Sequence, residues 1–207
     1  MNQNDYLRRK FGQIVLASSS PRRAQILAQV GFDFVVDPSH VDETLQGDHP
    51  VLAARRLAMD KASPVADRRP DRIVLAADTI VLIGGRVLGK PVDAGEARKM
   101  LEMLSGQTHE VHTAYALIHR MKATTHVGVE MTRVKFRNLD SDDIDRYIGT
   151  GAPFDKAGSY GIQDASAVFV ESIEGDFYNV VGLPITSVYL ALNAYFHTQA
   201  YDVAIKR

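Results

Sequence analysis

Two long β stretches, residues 109–119 and 125–137, follow one another with no helical pattern between them. This feature most narrows the folds open to the chain. Strands joined so directly pair antiparallel, because a parallel pair needs a crossover of a dozen or more residues. Elsewhere short apolar runs alternate with amphipathic stretches. Ile14–Ser18 reads as a short strand, Pro21–Val30 as a helix stopped by Gly31, and Phe32–Asp37 as a second strand. Pro50 opens a helix expected to end before Pro64. Ile73–Ile83 is nearly all apolar, and Gly84-Gly85 turns it back into Arg86–Leu88. Asp93 and Glu96 introduce a helix ending before Gly106, and Asp140 caps a short one. Ala167–Ile173 is another strand and Pro184–Phe196 a final helix. The pattern predicts an α/β fold with a mixed sheet flanked by helices.

No repeat or long linker divides the 207 residues, so residues 1–207 read as a single domain, with the polar segment 1–12 expected to be frayed and flexible. A net charge of −1 gives no bulk positive field, which argues against a nucleic-acid partner or an anionic membrane surface. The absence of cysteine excludes disulfides and thiolate chemistry and fits a reducing compartment. No stretch approaches the ~20 apolar residues that span a bilayer. The expectation is a cytoplasmic protein.

Ser18-Ser19-Ser20-Pro21-Arg22-Arg23 break a local rule. Ser20 suits an N-cap and Pro21 the first helical position. Arg22 and Arg23 then fall in the first turn, where the macrodipole favours acids. An external anion shared by hydroxyls, backbone N–H groups and guanidinium forks would compensate, forming a phosphate cradle. Solvation, or pairing with a nearby Asp or Glu, would also do so.

Asp78 is the second irregular residue, a carboxylate inside the apolar run 73–83. Burying it is costly without a cation, a metal or hydrogen-bond donors. At the mouth of a strand it can hold a divalent ion or take a proton from water; alternatively it breaks the strand into two. Glu43 beside Asp42 reads as a loop acid, Lys61 as a cation near a helix end, and Lys90 as part of the rigid Gly89-Lys90-Pro91 segment. Gln163 ends a constrained loop and can donate and accept toward a base edge. The histidines 109, 112, 119 and 126 show no metal-ligand spacing and read as structural or solvent-facing. A phosphoanhydride or phosphate ester attacked by water with metal assistance is the chemistry these residues point to.

Taken together, the motifs resemble the Maf family of nucleoside triphosphate pyrophosphatases over residues 13–195. The resemblance is carried by Leu16-Ala17-Ser18-Ser19-Ser20-Pro21-Arg22-Arg23, Asp42-Glu43, Asp60-Lys61-Ala62, Ala76-Ala77-Asp78-Thr79 and Gly89-Lys90-Pro91. It continues in Leu104-Ser105-Gly106-Gln107-Thr108-His109, Asp155-Lys156-Ala157-Gly158, Gly161-Ile162-Gln163 and Val181-Gly182-Leu183-Pro184. It implies an elongated mixed sheet with a deep cleft, similar to the inosine triphosphate pyrophosphatase fold. It further implies cleavage of a nucleoside triphosphate substrate to the monophosphate and pyrophosphate, with Mg²⁺ or Mn²⁺ as cofactor. Asp78 is then the proton acceptor, close to the metal together with Glu43. Ser18, Arg22, Arg23, Lys61 and Lys90 would grip phosphates, while Arg22, Thr79 and Gln163 match positions tied to substrate choice. The Asp-Lys-Ala-Gly and Gly-Ile-Gln forms resemble the branch acting on dTTP and UTP. A 7-methyl-GTP or broader substrate range, and a nucleotide-binding regulator of septation, are the alternatives; a homodimer is compatible with the sequence. Asp164 stands where many members have Gly, and Ala152 where an acidic residue is common. Asp164 is expected either to repel a triphosphate or to face solvent.

Overall fold

The apolar run 73–83 becomes the central strand of a seven-stranded sheet. The computed structural model describes residues 2–41 and 49–196. Its strands are β1 (Ile14–Leu16), β2 (Phe34–Val36), β3 (Val74–Ile83), β4 (Arg86–Leu88), β5 (Thr108–His119), β6 (Thr124–Phe136) and β7 (Val170–Glu174). Its helices are α1 (Gln3–Phe11), α2 (Pro21–Val30), α3 (Pro50–Arg68), α4 (Ala94–Leu104), α5 (Ser141–Gly149), α6 (Phe177–Val181) and α7 (Ile185–Tyr195). The sheet order is β2-β1-β3-β5-β6-β7, with β4 paired to β3 beside that path. β1 runs parallel to β2 and β3, and the other pairs are antiparallel. The expected mixed sheet is therefore present. Its backbone is the β5–β6 hairpin, paired from Thr108–Lys135 to His119–Thr124.

β3 carries so little polarity because both its faces are covered. Val74, Ala76 and Ile80 pack with Ala54, Ala58, Ala62 and Val65 of α3. Leu75 and Ala77, on the opposite face, share a core with Ile26, Leu27 and Leu192. Farther along, Val81 joins Leu101, Leu104, Val111 and Phe136 in another cluster.

The structure departs from the sequence pattern in a few places. Residues 3–11 form α1 rather than a frayed end. Asn2 caps it by accepting from the Asp5 N–H, and Leu7 and Phe11 are buried, Phe11 stacking on Phe32. The apolar signal was only Leu7 and Phe11 at i, i+4 spacing, so its importance depends on the distant surface it meets. α3 runs through Pro64 instead of ending before it. An interior proline costs about 3 kcal/mol relative to alanine. The helix persists because Val65 and Ala66, beyond the proline, are fully buried. The strand expected over 167–173 begins later, after a 3₁₀ turn over Ala165–Phe169. α6, too short to show a period, has no counterpart in the sequence reading.

His109, read as structural or solvent-facing, is buried between Phe136 and Tyr160, meeting both rings edge-on. Its Nε2 lies 2.8 Å from the Tyr160 hydroxyl, whereas its Nδ1 is buried with no partner. Burial pulls the imidazole down to about 4. An unfolded chain, with a histidine near ~6.5, binds this proton more tightly than the folded one. The stability involved is complete above pH ~6.5 and drains away as pH falls toward 4, amounting to about 2 kcal/mol by pH 5. Urea denaturation at pH 7 and pH 5 should show that loss in the wild type, and His109→Gln should reduce the difference.

Candidate active site

β1 and β4 pair with the same edge of β3, but at different heights. β1 reaches Val74 and Leu75, and β4 covers Val81 to Ile83. Between them residues 76–80 have no strand on that edge among the described residues. A cleft of about 610 Å³ opens there. Since side chains alternate along a strand, Asp78 and Thr79 stand at the gap on opposite faces of the sheet. One short interruption thus presents a carboxylate and a hydroxyl to the same cavity.

Asp78 is not a strand breaker; β3 is continuous through it, and it pairs with Ala114 on β5. Lys61, from the middle of α3 rather than near its end, places Nζ 2.6 Å from Asp78 Oδ1. Both residues are buried, at 6% and 7% exposure. Taking two charges from water costs several kcal/mol per ion, which mutual attraction repays only in good geometry. Neither charge is tolerable here without the other.

The turn from β1 into α2 forms a second wall. Ser20 is the N-cap by position, yet its side chain makes no capping bond, and no acid occupies the first turn. Arg22 Nη1 donates to Asp155 Oδ2 at 2.7 Å, an ion pair half exposed to water. Burial pushes the Asp155 carboxyl up, but hydrogen bonds from Lys156 and Arg22 outweigh it and hold the group below its ordinary value. Arg23 points inward instead. Its Nε donates to the Gly182 carbonyl at 2.8 Å, Nη1 to Ser18 Oγ at 3.0 Å and Nη2 to Thr79 Oγ1 at 3.2 Å. It ties the β1–α2 turn, β3 and the end of α6 together. Gly182 accommodates this because it caps α6 at φ 117°, a conformation that side chains other than glycine's rarely adopt.

Ser18 Oγ accepts from Arg23 and also from the Ser20 N–H at 3.2 Å. A hydroxyl has two acceptor sites and one proton. With both acceptor sites used, the Ser18 proton is the group left for the cleft, suited to an anionic oxygen.

The third wall is the loop after α5. Lys156 Nζ donates to the Ala152 carbonyl and to Asp155 Oδ1, each at 2.6 Å, and lies 3.3 Å from Asp164 Oδ2. Asp164 lines the cleft but does not simply face solvent. It caps the 3₁₀ turn through the Ser166 N–H and hydroxyl, and it also accepts from the Tyr147 hydroxyl. Ala152 contributes its backbone oxygen to Lys156. Gly161 lets the Lys156 side chain pass close by, since a Cβ there would come 2.6 Å from Lys156 Cε and displace it. Exposed Gln163, next in sequence to Asp164, lies at the cleft rim. The Gly89 carbonyl accepts from the Gly158 N–H at 3.0 Å, docking the loop against the segment that carries Lys90.

Ser18, Arg22, Arg23, Lys61, Asp78, Thr79, Lys90 and Gln163, scattered through the sequence, all line this one cleft. Glu43, and Asp42 beside it, lie outside the described residues. The sequence reading did not assign Asp155, Lys156, or the buried Thr113 and Asn179 behind Thr79 to the site. A threonine within a long β stretch carries no signal of which residue lies behind it. As for a metal, the described residues contain no group of three His, Cys, Asp or Glu able to enclose one. Asp78 supplies a hard oxygen at the cleft, and Mg²⁺ commonly uses one or two carboxylates together with substrate phosphates. Among the described residues, this donor set fits such an ion when a phosphate supplies further ligands. No described helix is long and apolar enough to cross a membrane.

The family profile described as Maf-like protein matches residues 13–195. A dTTP/UTP pyrophosphatase of Pyrococcus abyssi is 53% identical over 84% of this chain and 92% of its own length. The Pyrococcus furiosus protein of the same name is 52% identical over 84% of this chain and 90% of its own. One from Bacillus cytotoxicus is 49% identical with the same coverage, 84% and 90%. The solved structure of the Staphylococcus aureus Ham1 protein aligns over 60% of this chain and 71% of its own, at 14% identity and a TM-score of 0.41.

Removing one member of the buried ion pair should cost more than removing both charges. Lys61→Met is expected to destabilise by about 3–5 kcal/mol, as usual for an uncompensated buried charge. Adding Asp78→Asn should restore part of that stability without restoring activity, as read by denaturant unfolding alongside turnover.

Proposed function

The chain belongs to the Maf family, and we propose that its cleft hydrolyses dTTP and UTP to the nucleoside monophosphate and pyrophosphate. One observation carries this reading: Arg22, Lys61, Lys90 and the outward-facing Ser18 proton converge on a cleft that also contains Asp78. Cations and hydroxyl donors around a carboxylate suit a polyphosphate chain approached by water. The nucleobase comes from the relatives, which are named dTTP/UTP pyrophosphatases at about half identity.

The water oxygen bonds to the α-phosphorus while the bond from that phosphorus to the α–β bridging oxygen breaks. Pyrophosphate leaves with the electron pair, and Asp78 takes the water's proton. Lys61 fixes the orientation of that carboxylate through its 2.6 Å contact. Ser18 donates to a phosphate oxygen. Arg22 exchanges Asp155 for phosphate, which is inexpensive because exposed ion pairs are worth ~0–1 kcal/mol. Arg23 acts mainly by holding Ser18 and Thr79 in place, and Lys90 faces the phosphates from its loop. Gln163, at the rim, meets the base. A divalent cation, Mg²⁺ or Mn²⁺, held by Asp78, with Glu43 as its second expected carboxylate, would neutralise charge on the phosphates.

A panel of nucleoside triphosphates with Mg²⁺ or Mn²⁺ tests the reading, with pyrophosphate release as the readout. dTTP and UTP should be the best substrates, and no release from either would overturn the proposal. Asp78→Asn also removes the charge that faces Lys61 and should lower Tm. Measured below its own Tm, it should reduce kcat by roughly 10²–10⁴-fold, the usual contribution of a positioned proton acceptor. Arg22→Ala should reduce kcat/KM at least about tenfold while moving Tm little, because its ion pair with Asp155 is open to water. Parallel losses of Tm and activity would assign Arg22 to the scaffold instead.

A further inference from the structure

Thr79 is half-buried in the cleft wall, opposite Thr113 on β5, with the two hydroxyl oxygens 3.0 Å apart. Thr113 is completely buried, and its hydroxyl donates to the Asn179 carbonyl at 3.0 Å. A carbonyl can only accept, so the single Thr113 proton is committed there. The hydrogen bond between the two threonines must then run from Thr79 to Thr113. Arg23 Nη2 occupies one lone pair of Thr79 at 3.2 Å. What remains on Thr79 is one lone pair and no proton.

The direction of this chain is fixed from behind. Asn179 is fully buried, and its Nδ2 donates to the Val111 carbonyl and to Thr132 Oγ1, each at 2.9 Å. Thr132 Oγ1 in turn donates to the Asp176 carbonyl and accepts from the Asp176 N–H. Asn179 is thereby locked on α6, with its backbone oxygen presented to Thr113. The Ser20 N–H on one side and Thr113 on the other consequently leave two unlike hydroxyls in one cleft: Ser18 with a proton to give and Thr79 with a lone pair to offer.

Phosphate oxygens are acceptors, so the Thr79 lone pair has no use for them. It requires a hydrogen-bond donor. The attacking water is assigned to Asp78, on the opposite face of the sheet, so the donor sought is on the nucleoside part of the substrate. We propose that Thr79 recognises the imide N3–H of uracil and thymine, and that Thr113 is the positioning residue that makes Thr79 an obligate acceptor. Cytosine presents an unprotonated N3 at the same place and would leave two lone pairs facing each other. A site with committed hydrogen-bond groups rejects a mismatched ligand far better than an apolar pocket does. This inference rests on the pyrophosphatase reading above and adds how the base is discriminated.

The test compares kcat/KM for UTP, CTP and N3-methyl-UTP in the wild type, Thr113→Val and Thr113→Ser. The wild type should use CTP and N3-methyl-UTP at least about tenfold less well than UTP, the factor that corresponds to ~1.4 kcal/mol. Thr113→Val releases the Thr79 proton to donate to cytosine N3, so the CTP-to-UTP ratio should rise at least about tenfold. Thr113→Ser, which keeps the acceptor, should retain the wild-type ratio. A purely structural role for Thr113 would lower Tm or all three activities together without moving the ratio, and that result would overturn the proposal. If Thr113→Val does not fold, the wild-type comparison still decides. Equal use of N3-methyl-UTP and UTP would mean that the lone pair meets a sugar hydroxyl or nothing, which also overturns it. No pyrophosphate release from any nucleotide is a different pattern, and it would remove the pyrophosphatase reading itself.

Discussion

The Lys61–Asp78 ion pair is the interaction around which the rest of the site is arranged. A carboxylate on the central strand of a sheet covered on both faces would ordinarily be prohibitive. It persists because Lys61 of α3 reaches it and because β3 has no strand on one edge at that level among the described residues. The gap exists because β1 ends at Leu16 and its chain turns away through Ser18–Ser20 into α2. The continuation of α3 through Pro64 belongs to the same arrangement, since it keeps Val65 and Ala66 on the core that also seats Lys61. A hole in the sheet, a buried charge and a helix that ignores its proline are thus linked by one packing solution.

The two arginines at the start of α2 divide the work that a simple electrostatic reading gives them jointly. Arg22 is bound by one exposed carboxylate and is inexpensive to release. Arg23 is committed to Gly182, Ser18 and Thr79, groups from three parts of the chain. Its value lies in holding the Ser18 and Thr79 hydroxyls side by side in the cleft wall. Adjacent residues of one type, in one turn, therefore differ in function because one points along the cleft mouth and the other into its wall.

Much of the architecture was legible in the sequence where the period was strong. α2 spans Pro21–Val30 as its proline, apolar spacing and Gly31 indicate, and the β5–β6 hairpin falls within a residue or so of its expected limits. α1 and α6 were hidden for a different reason. Each is held by a few apolar side chains whose partners lie far away in sequence, such as Phe32 and Tyr189 for Phe11. Asp164 shows the same limit at the site. Its charge could not be interpreted from its neighbours, because Lys156 and Tyr147 decide what it does.

The sequence by itself determined the chemical vocabulary: an interrupted apolar strand bearing Asp78, a cationic helix start, and glycines where the backbone must turn tightly. These are local properties, set by side-chain chemistry and by the allowed backbone conformations of adjacent residues. Only the tertiary structure decided which of those groups meet, and in which hydrogen-bonding sense. The Thr79–Thr113–Asn179 relay joins residues from three separate parts of the chain, and the direction of its protons follows from the carbonyl at its end. No periodicity in the chain encodes that direction. It arises because burial removes water as an alternative partner and leaves each hydroxyl one arrangement that satisfies its neighbours.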